Sequence, residues 1–231
     1  MNNDTIFKVE NVYKKFGDSP DTEVIAVNDV SLEIEKGEFT ALVGPSGSGK
    51  TTLLNLMSGL DNPTSGSIYL KGSEISSMSG SELSDFRRDH IGFIFQSYNL
   101  IPVLTVLENI EYILVLQGID KFERKRRVLE MLEIVGLNGF ENRLPTQLSG
   151  GQQQRVAVAR AIVSRPDIIL ADEPTANLDS RTGEELVEMM HSLNREFETT
   201  FVFSTHDPII MNKAARLITL HDGKIVSDEI R

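Results

Sequence analysis

The chain has 231 residues, of which 40% are hydrophobic and 25% are charged, and its formal net charge at pH 7 is −11. This length accommodates one large α/β domain or two modest ones with a sizeable core, and the composition is ordinary for a globular protein. The acidic charge disfavours nucleic acid and anionic lipid as the main partner. The sequence contains no cysteine, which excludes disulfides, thiolate metal sites and a cysteine nucleophile.

No segment of the sequence has the pattern of a secretion signal or a membrane span. Residues 1–10 lack a basic start followed by an apolar stretch, and no run of about 18 apolar residues occurs in the chain. We therefore expect a chain that is not secreted by that route and does not itself cross a membrane. Any membrane role would come from a partner.

Hydrophobic patterns alternate with turn signals along the chain and predict both strands and helices. A turn cluster at 17–21 separates the first two strands, and His221-Asp222-Gly223 predicts a hairpin near the end of the chain. A capped helix is predicted to start at Ser81, ahead of helices at 105–117 and 121–135. The predicted strands cover 6–13, 24–34, 38–43, 67–70, 91–95, 168–171, 200–204, 216–220 and 224–226.

The character of the chain changes over residues 97–164, where helical patterns replace strands. A basic cluster at 121–127 lies on one of these helices, and we interpret it as a solvated helix face rather than a nucleic-acid site. The sequence therefore predicts a single domain over 1–231. Its core would comprise 1–96 and 165–231, and the helical block would form an inserted subdomain.

A glycine-rich stretch between a predicted strand and a predicted helix fits the phosphate-binding pattern G-x-x-x-x-G-K-[ST]. Its glycines let backbone N–H groups approach an anion, and the helix that begins near Lys50 adds unpaired N–H groups and a positive dipole end. Lys50 can reach the β- and γ-phosphates of a nucleotide, and the Thr51 hydroxyl can bind Mg²⁺. The predicted nucleotide-binding residues here are Gly44, Pro45, Ser46, Gly47, Ser48, Gly49, Lys50, Thr51 and Thr52.

Two acidic residues follow the predicted strand at 168–171. Open α/β sheets bind ligands at the carboxyl ends of their strands, so Asp172 can hold Mg²⁺ there, directly or through water. Glu173 can orient or deprotonate an attacking water. The pair therefore predicts that the bound nucleotide is hydrolysed.

A second helix start, at Leu148-Ser149-Gly150-Gly151-Gln152, is also suited to an anion. Ser149 is the expected N-cap, two glycines open the backbone, and a long helix follows. One chain has no obvious use for two such sites on one phosphate, whereas two chains do. We therefore expect residues 148–152 of one copy to cover the nucleotide held by the other copy.

Together these stretches resemble the ATP-binding-cassette (ABC) ATPase family, whose signature LSGGQ matches residues 148–152. The resemblance covers almost the whole chain. It implies an α/β fold, that of a P-loop NTPase, as an ABC-type nucleotide-binding domain with an antiparallel β subdomain and an inserted helical subdomain. It also implies an ATPase that binds ATP and Mg²⁺ and converts ATP and water to ADP and phosphate.

The resemblance assigns roles to further residues. Tyr13 matches the aromatic residue that stacks on adenine, and Gln96 matches the glutamine that touches Mg²⁺ and the attacking water and senses a membrane partner. His206 matches the switch histidine that contacts the γ-phosphate, and Asp179 lies in the loop that reaches the opposite active site. The predicted catalytic residues are Glu173, His206 and Gln96, and the predicted Mg²⁺ ligands are Thr51, Gln96 and Asp172.

The resemblance also implies partners. ATP would be sandwiched between two copies arranged head to tail, which separate after hydrolysis. The apolar segment at 96–110, together with residues 148–155 and 171–175, resembles the branch of the family that releases lipoproteins and exports macrolides. Members of this branch work with a membrane subunit and transmit motion across the membrane. We expect as partners a second copy and an integral membrane permease, with no nucleic acid, no disulfide and no transition metal. The location would be peripheral, on the cytoplasmic face of the inner membrane.

Two alternative functions use the same cassette. A regulatory module of the cell-division type would bind ATP and organise a membrane complex without moving cargo. A soluble ABC ATPase would act on DNA or ribosomes, but such proteins usually carry a long coiled-coil insertion or a second cassette, and neither is present. The charge of −11 is also unfavourable for nucleic acid. Cargo specificity would belong to the membrane partner, because the cassette itself does not define cargo.

Overall fold

The computed structural model describes residues 5–17, 19 and 22–231 of the chain. Asp18, Pro20 and Asp21, which belong to the predicted turn cluster, lie outside the described residues. The strands of the described part are β1 (Thr5–Phe16), β2 (Val24–Glu35), β3 (Phe39–Val43), β4 (Ser65–Leu70), β5 (Ser73–Glu74), β6 (Ile91–Ile94), β7 (Ile168–Asp172), β8 (Thr200–Ser204), β9 (Arg216–His221) and β10 (Lys224–Ile230). Its α-helices are α1 (Lys50–Met57), α2 (Gly80–His90), α3 (Val106–Leu116), α4 (Lys121–Ile134), α5 (Gly150–Ile162), α6 (Ser180–Phe197) and α7 (Pro208–Lys213).

Two sheets organise the described residues. One has four antiparallel strands in the order β2-β1-β4-β5, and the other has six strands in the order β10-β9-β3-β8-β7-β6. Within the larger sheet, β9, β3, β8, β7 and β6 are parallel, and β10 pairs with β9 as the predicted antiparallel hairpin. The predicted α/β fold with a separate antiparallel sheet is confirmed.

Side-chain burial explains why the two sheets differ. Along β2, Val30, Leu32 and Ile34 are buried and alternate with exposed residues, which is typical of a sheet with one face on the core. All five residues of β3 are buried, and so are all five of β8, because parallel strands are covered on both faces. The parallel strands therefore form the centre of the molecule.

Successive residues of β7 belong to two different cores. Ile168 and Leu170 pack in the cluster that contains the antiparallel sheet and α1. Ile169 and Ala171 pack in the cluster that contains α3, α4, α5 and α6. Burying one large apolar side chain stabilises a fold by about 1.5–3 kcal/mol, so the sheet is held in place from both faces.

Side-chain caps determine where several helices begin. Thr105 caps α3 and Asp120 caps α4, and each accepts a hydrogen bond from a backbone N–H of the first turn. The predicted start of α2 at Ser81 is wrong, because the N-cap of this helix is Ser79. A capping box needs an acid three residues after the cap, and Ser79 has that spacing to Glu82. None of the helices in the described part is both long and apolar enough to cross a bilayer.

Three of the five basic residues at 121–127 pair with carboxylates of the helical region. Arg126 and Arg127 both donate to Glu123, and Arg124 donates to Glu111. The hydrogen bonds from Arg126 and Arg127 lower the pKa of Glu123 to about 2. These ion pairs support the interpretation of the cluster as a solvated helix face.

Candidate functional site

Four parallel strands end at one edge of the larger sheet, and the predicted site residues follow them. β3 leads into the glycine-rich loop, and β7 ends at Asp172, which pairs with Ser204 at the end of β8. Ile94 at the end of β6 pairs with Ala171, so Gln96 follows two residues beyond the same edge. Open α/β sheets bind their ligands at this edge.

The loop before α1 is shaped by a close approach of β2. Gly49 is the N-cap residue of α1, its φ is 100°, and no side chain caps the helix. The first N–H groups of α1 therefore lack a side-chain acceptor, and the positive end of the helix dipole adds to them. A Cβ on Gly49 would lie 2.3 Å from the carbonyl oxygen of Ala26 in β2, so only glycine permits this approach.

The polar side chains of the loop fit an anion. The ammonium of Lys50 donates to the carbonyl oxygens of Gly44 and Pro45, at 2.9 and 3.1 Å, and no described carboxylate pairs with it. The Oγ of Ser48 is buried and has no hydrogen-bond partner among the described residues. An unpaired buried hydroxyl and an ammonium without a counterion both favour a phosphate in this loop.

The tip of the loop is open. Pro45, Ser46 and Gly47 are exposed, and a Cβ on Gly47 would meet nothing within 4 Å. Thr52 is half-buried in the first turn of α1. A bound group therefore has access to the loop from solvent.

Thr51 and Asp172 come together between α1 and β7. The hydroxyl of Thr51 donates to Oδ1 of Asp172 at 3.1 Å. A carboxylate and a hydroxyl fit Mg²⁺, which is usually bound by one or two carboxylates together with waters and substrate phosphates. Gln96 is exposed, its carbonyl oxygen accepts from the amide of Asn177 at 2.9 Å, and no described residue bonds its side chain.

Glu173 sits in a strained and well-contacted turn. Its φ is 44°, a left-handed value that residues other than glycine seldom adopt. Its N–H donates to the carbonyl oxygen of Ser204 at 2.8 Å, and Oε2 accepts from the hydroxyl of Thr205 at 3.2 Å. Oε1 lies 2.7 Å from Nδ1 of His206, and an ionised carboxylate can only accept, so Nδ1 donates in this bond. Glu173 and His206, predicted in separate roles, are direct neighbours.

The signature residues form the capped start of α5. The predicted N-cap, Ser149, accepts from the N–H of Gln152 at 3.3 Å, and Oε1 of Gln152 accepts from the N–H of Ser149 at 2.9 Å. Leu148 is buried in the core, and the two glycines after Ser149 are half-buried. Within the described chain, no hydrogen bond joins residues 148–152 to the phosphate loop at 44–52.

Asp179 is the N-cap residue of α6. Its Oδ2 accepts from the hydroxyl of Thr182 at 2.7 Å, and its Oδ1 accepts from the N–H of the same residue at 3.0 Å. These hydrogen bonds lower the pKa of Asp179 below its ordinary value. Within one chain the carboxylate serves its own helix, so a role at the opposite active site stays a prediction.

Two aromatic residues near the end of β1 differ in exposure. Tyr13 is half-buried and pairs with β4, whereas Phe16 is 45% exposed at the end of the strand. Phe16 pairs with Val24 of β2, two residues before Ala26, which contacts Gly49 of the phosphate loop. Phe16 was not predicted as a site residue, because the resemblance assigns adenine stacking to Tyr13. Phe16 lies beside the turn cluster, at the end of an alternating stretch, and this is the sequence feature that distinguishes it.

Two polar contacts of α5 also escaped prediction. Nε2 of Gln154 donates to the carbonyl oxygen of Pro174 at 2.8 Å. The guanidinium of Arg160 donates to the carbonyl oxygens of Tyr98 and Asn99. No sequence pattern predicts these contacts, because each joins α5 to a loop from another part of the chain.

The fold and this set of loops at the carboxyl edge of a parallel sheet define a P-loop nucleoside triphosphatase. The sequence profile of the ABC transporter family matches residues 27–176, and the chain belongs to this family as an ATP-binding ATPase domain. The predicted ABC ATPase identity is confirmed.

Relatives from bacteria and archaea match most of the chain. The ABC transporter ATP-binding protein YtrE of Bacillus subtilis is 50% identical over 88% of either chain. The lipoprotein-releasing system ATP-binding protein LolD 1 of Chlorobium chlorochromatii is 43% identical over 97% of this chain and 92% of its own length. The macrolide export ATP-binding/permease protein MacB of Salmonella choleraesuis is 46% identical over 90% of this chain, which corresponds to 32% of that longer protein.

A solved structure shows the same fold. The ATP-binding cassette MJ0796 of Methanocaldococcus jannaschii, in a dimeric post-hydrolysis state bound to ADP and phosphate, superposes with a TM-score of 0.89. It is 44% identical in sequence, and the match covers 97% of this chain and 98% of that one.

The close packing of Gly151 against Thr182 provides a test of the contact between the signature at the start of α5 and helix α6. A Cβ on Gly151 would lie 2.4 Å from Cγ2 of Thr182, whose hydroxyl is held by Asp179. We expect Gly151→Ala to lower the melting temperature by several degrees, because overpacking destabilises by about 1–3 kcal/mol.

The matched background for this test is Thr182→Ser, which removes the methyl group and keeps the hydroxyl. There, Gly151→Ala should be neutral or stabilising, because alanine favours a helix over glycine by about 1 kcal/mol. Thermal unfolding of the four proteins checks the expected change of sign. Equal effects of Gly151→Ala in both backgrounds would contradict the contact.

Proposed function

We propose that this chain is the ATP-hydrolysing subunit of a transporter, and that two copies close head to tail around ATP. One observation carries the proposal. The chain has two helix starts suited to phosphate, at α1 and α5, and no hydrogen bond of the described residues joins them within one copy. A two-fold axis lets each phosphate loop meet the α5 start of the other copy. The dimeric state of MJ0796 supports this arrangement.

Each phosphate loop binds ATP through Lys50, Ser48 and the start of α1, which contact the β- and γ-phosphates. Thr51 and Asp172 would hold Mg²⁺, together with Gln96 from the loop after β6. The ion would offset the charge of the phosphate oxygens. Residues 148–152 of the partner copy cover the γ-phosphate from the other side, and Asp179 belongs to the loop that crosses to the partner.

Glu173 accepts the proton of the attacking water in this mechanism. The water oxygen forms a bond to the γ-phosphorus, the bond between that phosphorus and the β–γ bridging oxygen breaks, and ADP leaves with the electron pair. Thr205 and His206 keep the carboxylate oriented through the hydrogen bonds at Oε2 and Oε1. His206 also contacts the γ-phosphate, and so it links Glu173 to the group that is removed.

Replacing the carboxylate should separate hydrolysis from binding. Glu173→Gln keeps the side-chain size but removes the proton acceptor, so we expect phosphate release to fall at least about 100-fold while ATP still binds. The dimer should persist with ATP, as measured by size-exclusion chromatography. Glu198→Gln is a matched control, because Glu198 also has a left-handed backbone (φ 52°) and lies at the opposite end of β8. A Glu173→Gln protein that stays monomeric with ATP would refute the dimer.

An aromatic side chain at the end of β1 stacks on the adenine of ATP. Exposure favours Phe16 over the predicted Tyr13, since Phe16 is 45% exposed and its neighbour strand runs over the phosphate loop at Ala26. The ammonium of Lys14 lies 4.9 Å from the Phe16 ring centroid.

Single substitutions at the two aromatic positions distinguish these candidates. We expect Phe16→Ala to raise the Kd for ATP about tenfold, because stacking of a base on an aromatic ring contributes about 1–3 kcal/mol. Tyr13→Ala should change the Kd less than about twofold, since Tyr13 is half-buried and its backbone pairs with Ser65 of β4. Fluorescence titration with a labelled ATP analogue measures both values, and the reverse ranking would assign the stacking to Tyr13.

A membrane permease is the proposed partner of the helical region. Exposed apolar side chains follow Gln96 along the chain, with Val103 79% exposed and Phe122 82% exposed. Tyr112, Val115 and Leu116 of α3 are also exposed. Exposed large apolar side chains between residues 103 and 122 favour a protein partner for this part of the chain, and the segment after Gln96 follows the site directly in sequence.

A charge on this surface should weaken the partnership. We expect Val103→Asp to reduce, by at least about tenfold, the integral membrane protein that co-purifies with the chain in mild detergent, because burying an unpaired carboxylate in an apolar contact is unfavourable. ATP hydrolysis by the isolated chain should be unchanged. Val226→Asp on β10, at a residue 61% exposed, is the control. Equal recovery of the membrane protein with both variants would contradict this docking surface.

The partner would extract or export cargo such as a lipoprotein, a peptide or a macrolide-like molecule. Similarity to a lipoprotein-releasing system protein, LolD 1, and to a macrolide exporter, MacB, supports this cargo class. Closure and opening of the ATPase dimer would transmit motion to the permease. The chain would then act at the cytoplasmic face of the membrane, as a peripheral subunit.

A further inference from the structure

Gln154 is a fully buried amide on the signature helix α5. Its Nε2 donates to the carbonyl oxygen of Pro174 at 2.8 Å, and its Oε1 is buried without a partner among the described residues. A buried acceptor left unsatisfied costs about 1–3 kcal/mol. The side chain therefore makes one long-range hydrogen bond, through Nε2, and leaves its buried Oε1 unsatisfied. Stability alone does not favour this arrangement.

Pro174 directly follows Glu173, whose backbone is left-handed. A residue held in such a conformation costs about 1–3 kcal/mol and persists only where its surroundings determine it. The N–H of Glu173 is bound by Ser204 of β8, and its carbonyl oxygen accepts from the N–H of Ala176. Gln154, on α5, adds a third hydrogen bond to this turn by donating to the carbonyl oxygen of Pro174.

The start of α5 is the signature, so Gln154 lies about one helical turn from Gly150. A shift of the helix at its start therefore moves the donor that holds Pro174. Arg160, further along α5, donates to the carbonyl oxygens of Tyr98 and Asn99, which also have left-handed backbones. α5 thus contacts both the turn after β7 and the loop that carries Gln96.

We propose that Gln154 is a positioning residue that ties the signature helix to the turn of Glu173 in the same copy. The inference rests on the proposed head-to-tail dimer, in which the signature of one copy covers the nucleotide of the other. When α5 settles against the partner's γ-phosphate, Gln154 draws the Pro174 carbonyl and holds Glu173 in its working conformation. Closure of α5 on the partner's nucleotide thereby positions the general base that acts on the nucleotide of its own copy.

Methionine at this position separates positioning from stability. Gln154→Met keeps the length and buried volume and removes the donor, so the carbonyl oxygen of Pro174 loses a partner while the unsatisfied Oε1 disappears. The melting temperature should change little. We expect kcat for ATP hydrolysis to fall roughly tenfold with KM within about twofold, because the loss of one hydrogen bond acts on the reacting geometry and not on ATP binding.

Asn194→Met is the matched control. Asn194 is also a buried amide, and its Nδ2 donates to the carbonyl oxygens of Gly37 and Thr199, away from the site. This variant should lower the melting temperature while kcat stays within about twofold of the unchanged protein. An unchanged kcat in Gln154→Met overturns the proposal. The proposal is also overturned if both variants lose kcat in proportion to their loss of melting temperature, because kcat would then follow stability alone.

Mixed dimers show whether Gln154 positions the Glu173 of its own copy or acts on hydrolysis in the other copy. Two differently tagged chains are combined with ATP, one carrying Glu173→Gln so that only the other copy hydrolyses. Gln154→Met in the hydrolysing copy should slow phosphate release roughly tenfold, and in the Glu173→Gln copy less than about twofold. Slowing only from the Glu173→Gln copy would mean that Gln154 acts through the signature, which overturns the positioning role.

The same preparation tells the two proposals apart. If the Glu173→Gln chain forms no dimer with ATP, the head-to-tail arrangement fails, and the kcat of Gln154→Met alone still decides whether Gln154 positions Glu173. If the dimer forms and the mixed dimers show no effect of Gln154→Met in either copy, the dimer stands and the inference about Gln154 fails.

Discussion

The parallel pairing of β3, β8, β7 and β6 is the constraint on which the rest of the structure depends. Parallel strands end on the same side, so each strand of this group delivers its following loop to one edge of the sheet. The pairing of Asp172 with Ser204 brings the turn of Glu173 beside the segment that carries Thr205 and His206. A slip of one residue in this register would turn the side chains of β7 to opposite cores and separate these loops. The register is protected because the strands are buried on both faces, with Ile168 and Leu170 in one core and Ile169 and Ala171 in the other.

The acid that follows β7 is one of the strained residues at this edge. Glu173 leaves β7 with a left-handed backbone and accepts hydrogen bonds from two neighbours of the next loop, Thr205 and His206. Such a conformation is held by packing elsewhere, because its own preference is for another region of backbone space. The buried strands supply rigidity on one side, and α5 supplies the contact to Pro174 on the other. The placement of the acid is therefore a property of the whole domain, and substitutions on α5 can reach it without touching the nucleotide.

Local chemistry was predictable from the sequence, and long-range contacts were not. Short sequence spacings predict the phosphate loop, the acids after β7 and the cap at Ser149, and each spacing has its own physical reason. The structure shows the strand, loop and helix that these features need. The start of α2 was misplaced because two serines compete, and the acid at the correct spacing selects Ser79. The exposure of Phe16 and the bond of Gln154 depend on which strands and helices become neighbours, and a single sequence does not carry that information in any short pattern.

The net charge of the chain favours opening of the proposed dimer after hydrolysis. Each copy has a net charge of −11, so two copies repel one another, and two bound nucleotides add to that repulsion. Closure then needs a local attraction that exceeds the repulsion. The helix starts at α1 and α5 would supply it together with Lys50, whose ammonium is held against the phosphate loop by the carbonyl oxygen of Gly44. The attraction acts on the γ-phosphate, because this is the group that both helix starts would contact. Removal of that group by hydrolysis weakens the attraction and leaves the repulsion in place. An acidic chain with a locally positive phosphate site is thus suited to open after each turnover, whereas a chain of net charge near zero would lack this repulsion.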